Sequence, residues 1–171
     1  MSKTLNSFET FYKFDKKNEK DPIVFIHGIG LTHEIWDHQI KFFKDYNTIV
    51  YDLIGHGKTP LNKKQIKMKD FCKQLLKLID ELKIDKIHLV GFSLGSLIAR
   101  DFASLHSNRL SSLTILGTVY KRTEDEKRQI HDAPFDNEIV IAIGGASSGR
   151  AHARTGDRYQ DMKEMGIKNP K

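Results

Sequence analysis

Apolar positions in this chain fall into short continuous runs and helical stripes that alternate along its length. Pro22-Ile23-Val24-Phe25-Ile26-His27 is an unbroken apolar run, as expected of a strand covered on both faces. From His33 to Lys44, the residues Ile35, Trp36, Ile40 and Phe43 stand at helical spacing. Asn47 to Asp52 reads as a second buried strand. Gln65 to Leu82 is a strongly amphipathic helix, with Phe71, Leu75, Leu78, Ile79 and Leu82 along one stripe. Lys86 to Val90 is a third apolar strand that runs through a glycine-bounded turn into a helix beginning near Ser96, and Leu113 to Val119 is a fourth. Phe8 to Phe14 alternates weakly as an opening strand before a charged turn at Asp15 to Asp21. Strands and helices in this order predict an α/β fold, with a mostly parallel sheet, right-handed crossovers and helices on both faces. Sheets of this kind carry their sites at the C-terminal strand ends.

Past Tyr120 the character changes. Arginine is absent from residues 1–99, whereas Arg122, Arg128, Arg150, Arg154 and Arg158 crowd the later part. Lys121 to His131 is charged and helical in pattern, Glu138 to Ile143 is a strand, Gly144 to Gly149 a glycine-serine loop, and Tyr159 to Ile167 a closing helix. The expected division is an α/β portion over 1–130 and an atypical strand-loop-helix tail over 131–171 that can complete the same sheet.

Length and composition narrow the class. A chain of 171 residues is long enough for one domain with its own core. Cys72 is the sole cysteine, which excludes an intrachain disulfide and fits a reducing, cytoplasmic setting. Its place in an apolar-periodic stretch makes it core filler. The first residues contain no apolar signal segment, and no stretch is long enough to span a bilayer. The net charge of +6 comes from scattered lysines such as Lys41, Lys44, Lys69, Lys73 and Lys77 at exposed helix positions. Without a clustered basic stripe and stacking aromatics, nucleic-acid binding is not expected.

The chemistry concentrates in three glycine-containing loops, each after a buried strand. Gly91-Phe92-Ser93-Leu94-Gly95 is a G-x-S-x-G at a strand-to-helix boundary, the pattern that forces a serine into a tight bend with its hydroxyl exposed. Serine is a poor nucleophile at neutral pH and needs a base, an acid to orient that base, and donors for the developing oxyanion. His27-Gly28-Ile29-Gly30 follows the first buried strand. If that strand lies beside the one ending at Ser93, the Ile29 and Leu94 N–H groups converge on one point. Asp52-Leu53-Ile54-Gly55-His56-Gly57-Lys58-Thr59-Pro60 is the third loop, where the glycines permit a sharp reversal and Asp52 and His56 tie the chain down.

With these residues in place, 20–130 resembles the N-terminal half of an α/β-hydrolase, on His27-Gly28-Ile29-Gly30, Trp36, Asp52, Gly55-His56-Gly57-Lys58-Thr59 and Gly91 to Gly95. Gly28 to Trp36 and Val119 to Glu124 are similar to the small esterase and 3-oxoadipate enol-lactonase branch. The resemblance implies Ser93 as nucleophile, Ile29 and Leu94 as oxyanion donors, and an acyl-enzyme on a small carboxylic ester or lactone, with no metal or organic cofactor.

The family order is serine, then acid, then histidine. By order alone Asp125 or Asp136 with His152 would complete it, although neither context resembles the family's loops. A truncated or rearranged hydrolase of weak turnover is expected, with a non-catalytic module that keeps the sheet and binds ligands as the alternative. The tail permits another chemistry: Gly144 to Ala151 matches the outer glycine spacing of a phosphate loop but has Arg150 where lysine is needed and Ala151 where serine or threonine would hold Mg²⁺. It suits passive phosphate binding or a surface loop better than nucleotide hydrolysis.

Overall fold

The computed structural model describes residues 2–5, 9–62, 64–117 and 138–142. The strands are β1 (Ser2–Leu5), β2 (Thr10–Asp15), β3 (Ile23–Ile26), β4 (Thr48–Tyr51), β5 (Ile87–Phe92), β6 (Leu110–Leu116) and β7 (Glu138–Ala142). They join one sheet in the order β1-β2-β4-β3-β5-β6-β7. The run from β4 to β7 is parallel, while β1 and β2 form an antiparallel margin. The helices are α1 (Asp37–Phe42), α2 (Met68–Glu81) and α3 (Leu94–Leu105).

Strand order fixes where a site can form. From β3 the chain steps outward through α1 to β4, then back across β3 through α2 to β5. Right-handed crossovers taken in opposite directions put α1 on one face of the sheet and α2 and α3 on the other. The reversal opens a crevice between the C-terminal ends of β3 and β5, which pair from Ile23↔His88 to Ile26↔Gly91. The loop at His27 and the turn at Ser93 leave from those two ends.

The larger core lies under α2 and α3. Leu75, Leu78 and Ile79 of α2, with Ile98, Ala99 and Phe102 of α3, pack on Val24, Ile26, Ile49, Ile87, Leu89 and Leu113. The α1 face is built on Phe25, Trp36 and Val50. Cys72 is buried in the larger core, and burial pushes its thiol up to about 11, so it serves packing and is not a reactive thiol.

Four differences from the sequence pattern have physical causes. The helix expected from His33 to Lys44 breaks into a 3₁₀ turn, His33–Trp36, and the short α1, which buries none of its residues. The break lets Trp36 drop onto Phe25, ring centroids 5.0 Å apart. The amphipathic stripe starts before its helix: Lys67 and Asp70 cap α2, the Lys67 N–H donating to Asp70 Oδ2 over 2.9 Å. Ile66 therefore packs on the core from outside the helix. The strand expected from Leu113 begins at Leu110, because Leu110 pairs with Ile87 and Ser112 with His88, the register skipping the half-buried Ser111 between them. Finally, β1 is a short strand whose composition carries no alternation. The five lysines expected on exposed helix positions are all exposed.

Candidate active site

Ser93 has φ 53° and ψ −114°, a conformation that costs a non-glycine residue about 1–3 kcal/mol and persists only when its surroundings impose it. Several contacts impose it here. The Ser93 N–H donates to the Leu116 carbonyl of the neighbouring β6 over 3.0 Å. The Ser93 carbonyl accepts two bonds from one residue, the Ser96 N–H at 2.9 Å and the Ser96 hydroxyl at 2.6 Å. The flanking glycines are required by close approach. A Cβ at Gly91 would overlap the Gly95 carbonyl, and one at Gly95 would overlap the Ile26 carbonyl oxygen and lie 2.8 Å from that of His27. β5, α3 and the end of β3 thus meet with no room for a methyl group.

The second loop reaches Ser93 directly. A Cβ built on Gly28 would lie 3.2 Å from the Ser93 Cβ and 3.4 Å from the Phe92 ring. The Ile29 peptide follows, with its side chain 72% exposed. Among the described residues, no protein group accepts a bond from the Ile29 N–H. Leu94 is the first residue of α3, so its N–H has no partner within the helix. The structure therefore brings together three of the residues singled out from the sequence, Ser93, Ile29 and Leu94, at the crevice. His152, Asp125 and Asp136, the remaining candidates for base and acid, lie outside the described residues, as do His131 and the loop at 144–151.

The third loop is organised around a buried carboxylate. Asp52 is fully buried; its Oδ1 accepts from the His33 N–H at 2.7 Å and from His33 Nδ1–H at 2.9 Å, and its Oδ2 accepts from the Lys58 N–H at 2.9 Å. Burial acts to raise its pKa, but the Lys58 and His33 hydrogen bonds outweigh burial and hold it below the usual carboxylate range. The structural role expected for Asp52 fits these bonds. His56 turns its Nδ1–H onto the Ile54 carbonyl at 3.1 Å, and its ring lies tilted at 58° to that of His27, centroids 5.3 Å apart.

The sequence pattern assigns no individual role to His33 or to His27. His33 is buried against Phe11 of β2, centroids 4.9 Å apart, and its Nε2 has no hydrogen-bond partner. His27 is fully buried and uses both ring nitrogens: Nδ1–H donates to the Gly28 carbonyl at 2.8 Å and Nε2 accepts from the Leu53 N–H at 3.0 Å. Burial lowers its pKa below the usual histidine value. Neither ring, nor that of His56 or of His88, which bonds Ser112, is hydrogen-bonded to Ser93. Ser96 reads from the sequence only as the onset of a helix, whereas it is the third residue of α3, and its bonds to the Ser93 carbonyl follow from a backbone turn that the pattern does not specify.

Among the described residues no group of histidine, cysteine, aspartate and glutamate side chains could hold a metal ion. No helix among them is long and apolar enough to cross a membrane.

Comparisons with known proteins agree with one another. Residues 21–142 match a family model described as the alpha/beta hydrolase fold. The chain is 32% identical, over 76% of its length and 50% of the relative's, to an (E)-2-((N-methylformamido)methylene)succinate hydrolase of Acinetobacter baylyi. It is 30% identical, over 60% of its length and 39% of the relative's, to 3-oxoadipate enol-lactonase 1 of the same organism. A crystal structure of the enol-lactonase from Burkholderia xenovorans superposes with a TM-score of 0.64 at 24% identity, covering 69% of this chain and 46% of that one, which is a likeness of fold. The chain spans half or less of the length of each of these three proteins.

Proposed function

The chain belongs to the alpha/beta hydrolase fold family, and from that premise we propose that it is a serine hydrolase of small carboxylic esters or lactones acting through an acyl-enzyme on Ser93. One observation carries the reading: a serine at φ 53° on a strand-to-helix turn, with the Gly28 loop packed against its Cβ. Such a backbone is maintained at a cost, and a cost of this kind is characteristic of functional positions. The two relatives named above, a succinate-derivative hydrolase and an enol-lactonase, supply the substrate class.

Each proposed step uses a group described above or one expected from the order of the chain. Ser93 Oγ attacks the ester carbonyl carbon as its proton passes to the base. The carbonyl oxygen becomes an oxyanion held by the Ile29 and Leu94 N–H groups, which are fixed beforehand and need no reorganisation. The tetrahedral intermediate expels the alkoxide, which takes the proton from the base; in a lactone the alkoxide stays tethered to the acyl group. Water, deprotonated by the same base, then attacks the acyl-enzyme and releases the carboxylic acid and Ser93. We place the base and acid at His152 with Asp125 or Asp136, by the family's order alone, and expect weak turnover from this chain because no described imidazole serves Ser93.

A fluorophosphonate probe tests the proposal. Stoichiometric labelling of the folded chain that disappears in Ser93→Ala supports an activated nucleophile. A folded protein that stays unlabelled sinks the hydrolase reading and leaves a non-catalytic module that keeps the sheet.

A further inference from the structure

We propose that His27 is a positioning residue that aims the Ile29 N–H at the oxygen developing on a Ser93-bound acyl group, an inference that rests on the function proposed above. The link is the peptide unit between Gly28 and Ile29. A trans peptide is planar, with its C=O and N–H pointing in opposite directions, so whatever fixes the carbonyl of residue 28 also fixes the N–H of residue 29. The Gly28 carbonyl receives the His27 Nδ1–H at 2.8 Å and, more weakly, the Leu31 N–H at 3.3 Å.

The ring has no freedom to do otherwise. A carbonyl only accepts and an N–H only donates, so the contacts to Gly28 and to the Leu53 N–H require the neutral imidazole with its proton on Nδ1. The ring is fully buried, with the His56 ring tilted against it at 5.3 Å and Asp52 Oδ1 4.0 Å from Nε2. Its backbone is held as well, since the missing side chain of Gly95 lets α3 pack against the Ile26 and His27 carbonyls. His27 therefore ties the donor peptide to the loop after β4 on one side and to the turn at Ser93 on the other. With both nitrogens committed, it is not available to take the Ser93 proton, and its part in the reaction is orientation.

The experiment compares His27→Ala, which removes both bonds, with His27→Asn, whose side-chain amide retains a donor close to the Nδ1 position. For each folded variant the inactivation rate constant and the reversible affinity of a fluorophosphonate are separated. Loss of one oxyanion donor costs about 100-fold or more in rate. The expected result is a loss of that order in the rate constant of His27→Ala with affinity unchanged, largely restored in His27→Asn. A folded His27→Ala reacting at the wild-type rate, or an asparagine variant as slow as alanine, overturns the proposal. Amide NMR gives a readout that needs no chemistry: the Ile29 N–H resonance should shift and broaden in His27→Ala and recover in His27→Asn. If the wild type is not labelled at all, the nucleophile reading falls separately, and an unmoved Ile29 amide in His27→Ala still overturns this one.

Discussion

His33 Nδ1 lies 2.9 Å from Asp52 Oδ1, and both side chains are buried, so the chain holds an acid-oriented imidazole whose Nε2 has no partner. This is the arrangement that orients a catalytic histidine, yet it stands in the wrong place for Ser93. Asp52 follows β4, and His33 leans further outward onto Phe11 of β2. β4 is separated from β5 by β3, and two strand spacings are about 10 Å. The pair holds the loops together. Its removal should register as lost stability: Asp52→Ala leaves the buried His33 N–H and Nδ1–H without acceptors and should cost about 3 kcal/mol or more. Asp52→Asn, which keeps one carbonyl oxygen, should cost less. Urea denaturation of the two variants checks the order.

Acid should weaken the fold in two steps. Burial depresses His27 from the ordinary 6.5, so the folded state binds a proton less readily than the unfolded one. Stability is then fully present above pH 6.5 and is lost as pH falls towards the folded pKa, because the unfolded chain takes up the proton first. In Asp52 burial is outweighed by the Lys58 and His33 bonds, which also depress the pKa, so the stability that it contributes is present above 3.8 and is lost below it. Thermal melting from pH 8 to pH 3 should show both losses, the second absent in Asp52→Asn. A melting temperature that stays constant between pH 7 and pH 5 would contradict the first.

Gly95→Ala separates local propensity from tertiary packing. Gly95 is the second residue of α3, and within a helix alanine is ordinarily favoured over glycine by about 1 kcal/mol. Here the added Cβ would overlap the Ile26 carbonyl oxygen, which belongs to backbone that cannot swing aside. The variant should be destabilised by about 2–3 kcal/mol, in the range of overpacked cores. Because the helix would be pushed off β3, fluorophosphonate labelling of Ser93 should fall with it. Calorimetry and labelling on one sample give both readouts.

The sequence made the parallel sheet and the three loops legible because each depends on local pattern. Ile23 to Ile26 is an apolar run, Asn47 to Asp52 and Lys86 to Val90 are short apolar-rich segments, and glycines mark the close approaches at 28, 91 and 95. The roles of His27, His33 and Ser96 were not legible, for the opposite reason. Their roles depend on partners in other elements or on backbone angles, as with the bond from the Leu53 N–H to His27 across 26 positions. A histidine on an apolar run reads the same whether its ring is idle or spans two loops. The margin at β1 was invisible because four residues without alternation give no period to read. The assignment of base and acid to His152 with Asp125 or Asp136 came from chain order, which carries no spatial information.

The strain at Ser93 can be measured by a reversal of sign. Ser93→Ala and Ser93→Gly both remove the hydroxyl, so neither should label, and they differ only by a Cβ. At an ordinary position glycine is the less stable of the two by about 0.5–1 kcal/mol, since it loses more freedom on folding. At φ 53° the alanine variant still holds its Cβ in the disfavoured region, whereas glycine adopts that φ without steric cost. Ser93→Gly should therefore be the more stable variant, by about 1 kcal/mol in urea denaturation. If Ser93→Ala proves the more stable, the turn is not strained, and the serine loses the feature that sets it apart from the other hydroxyls of the chain.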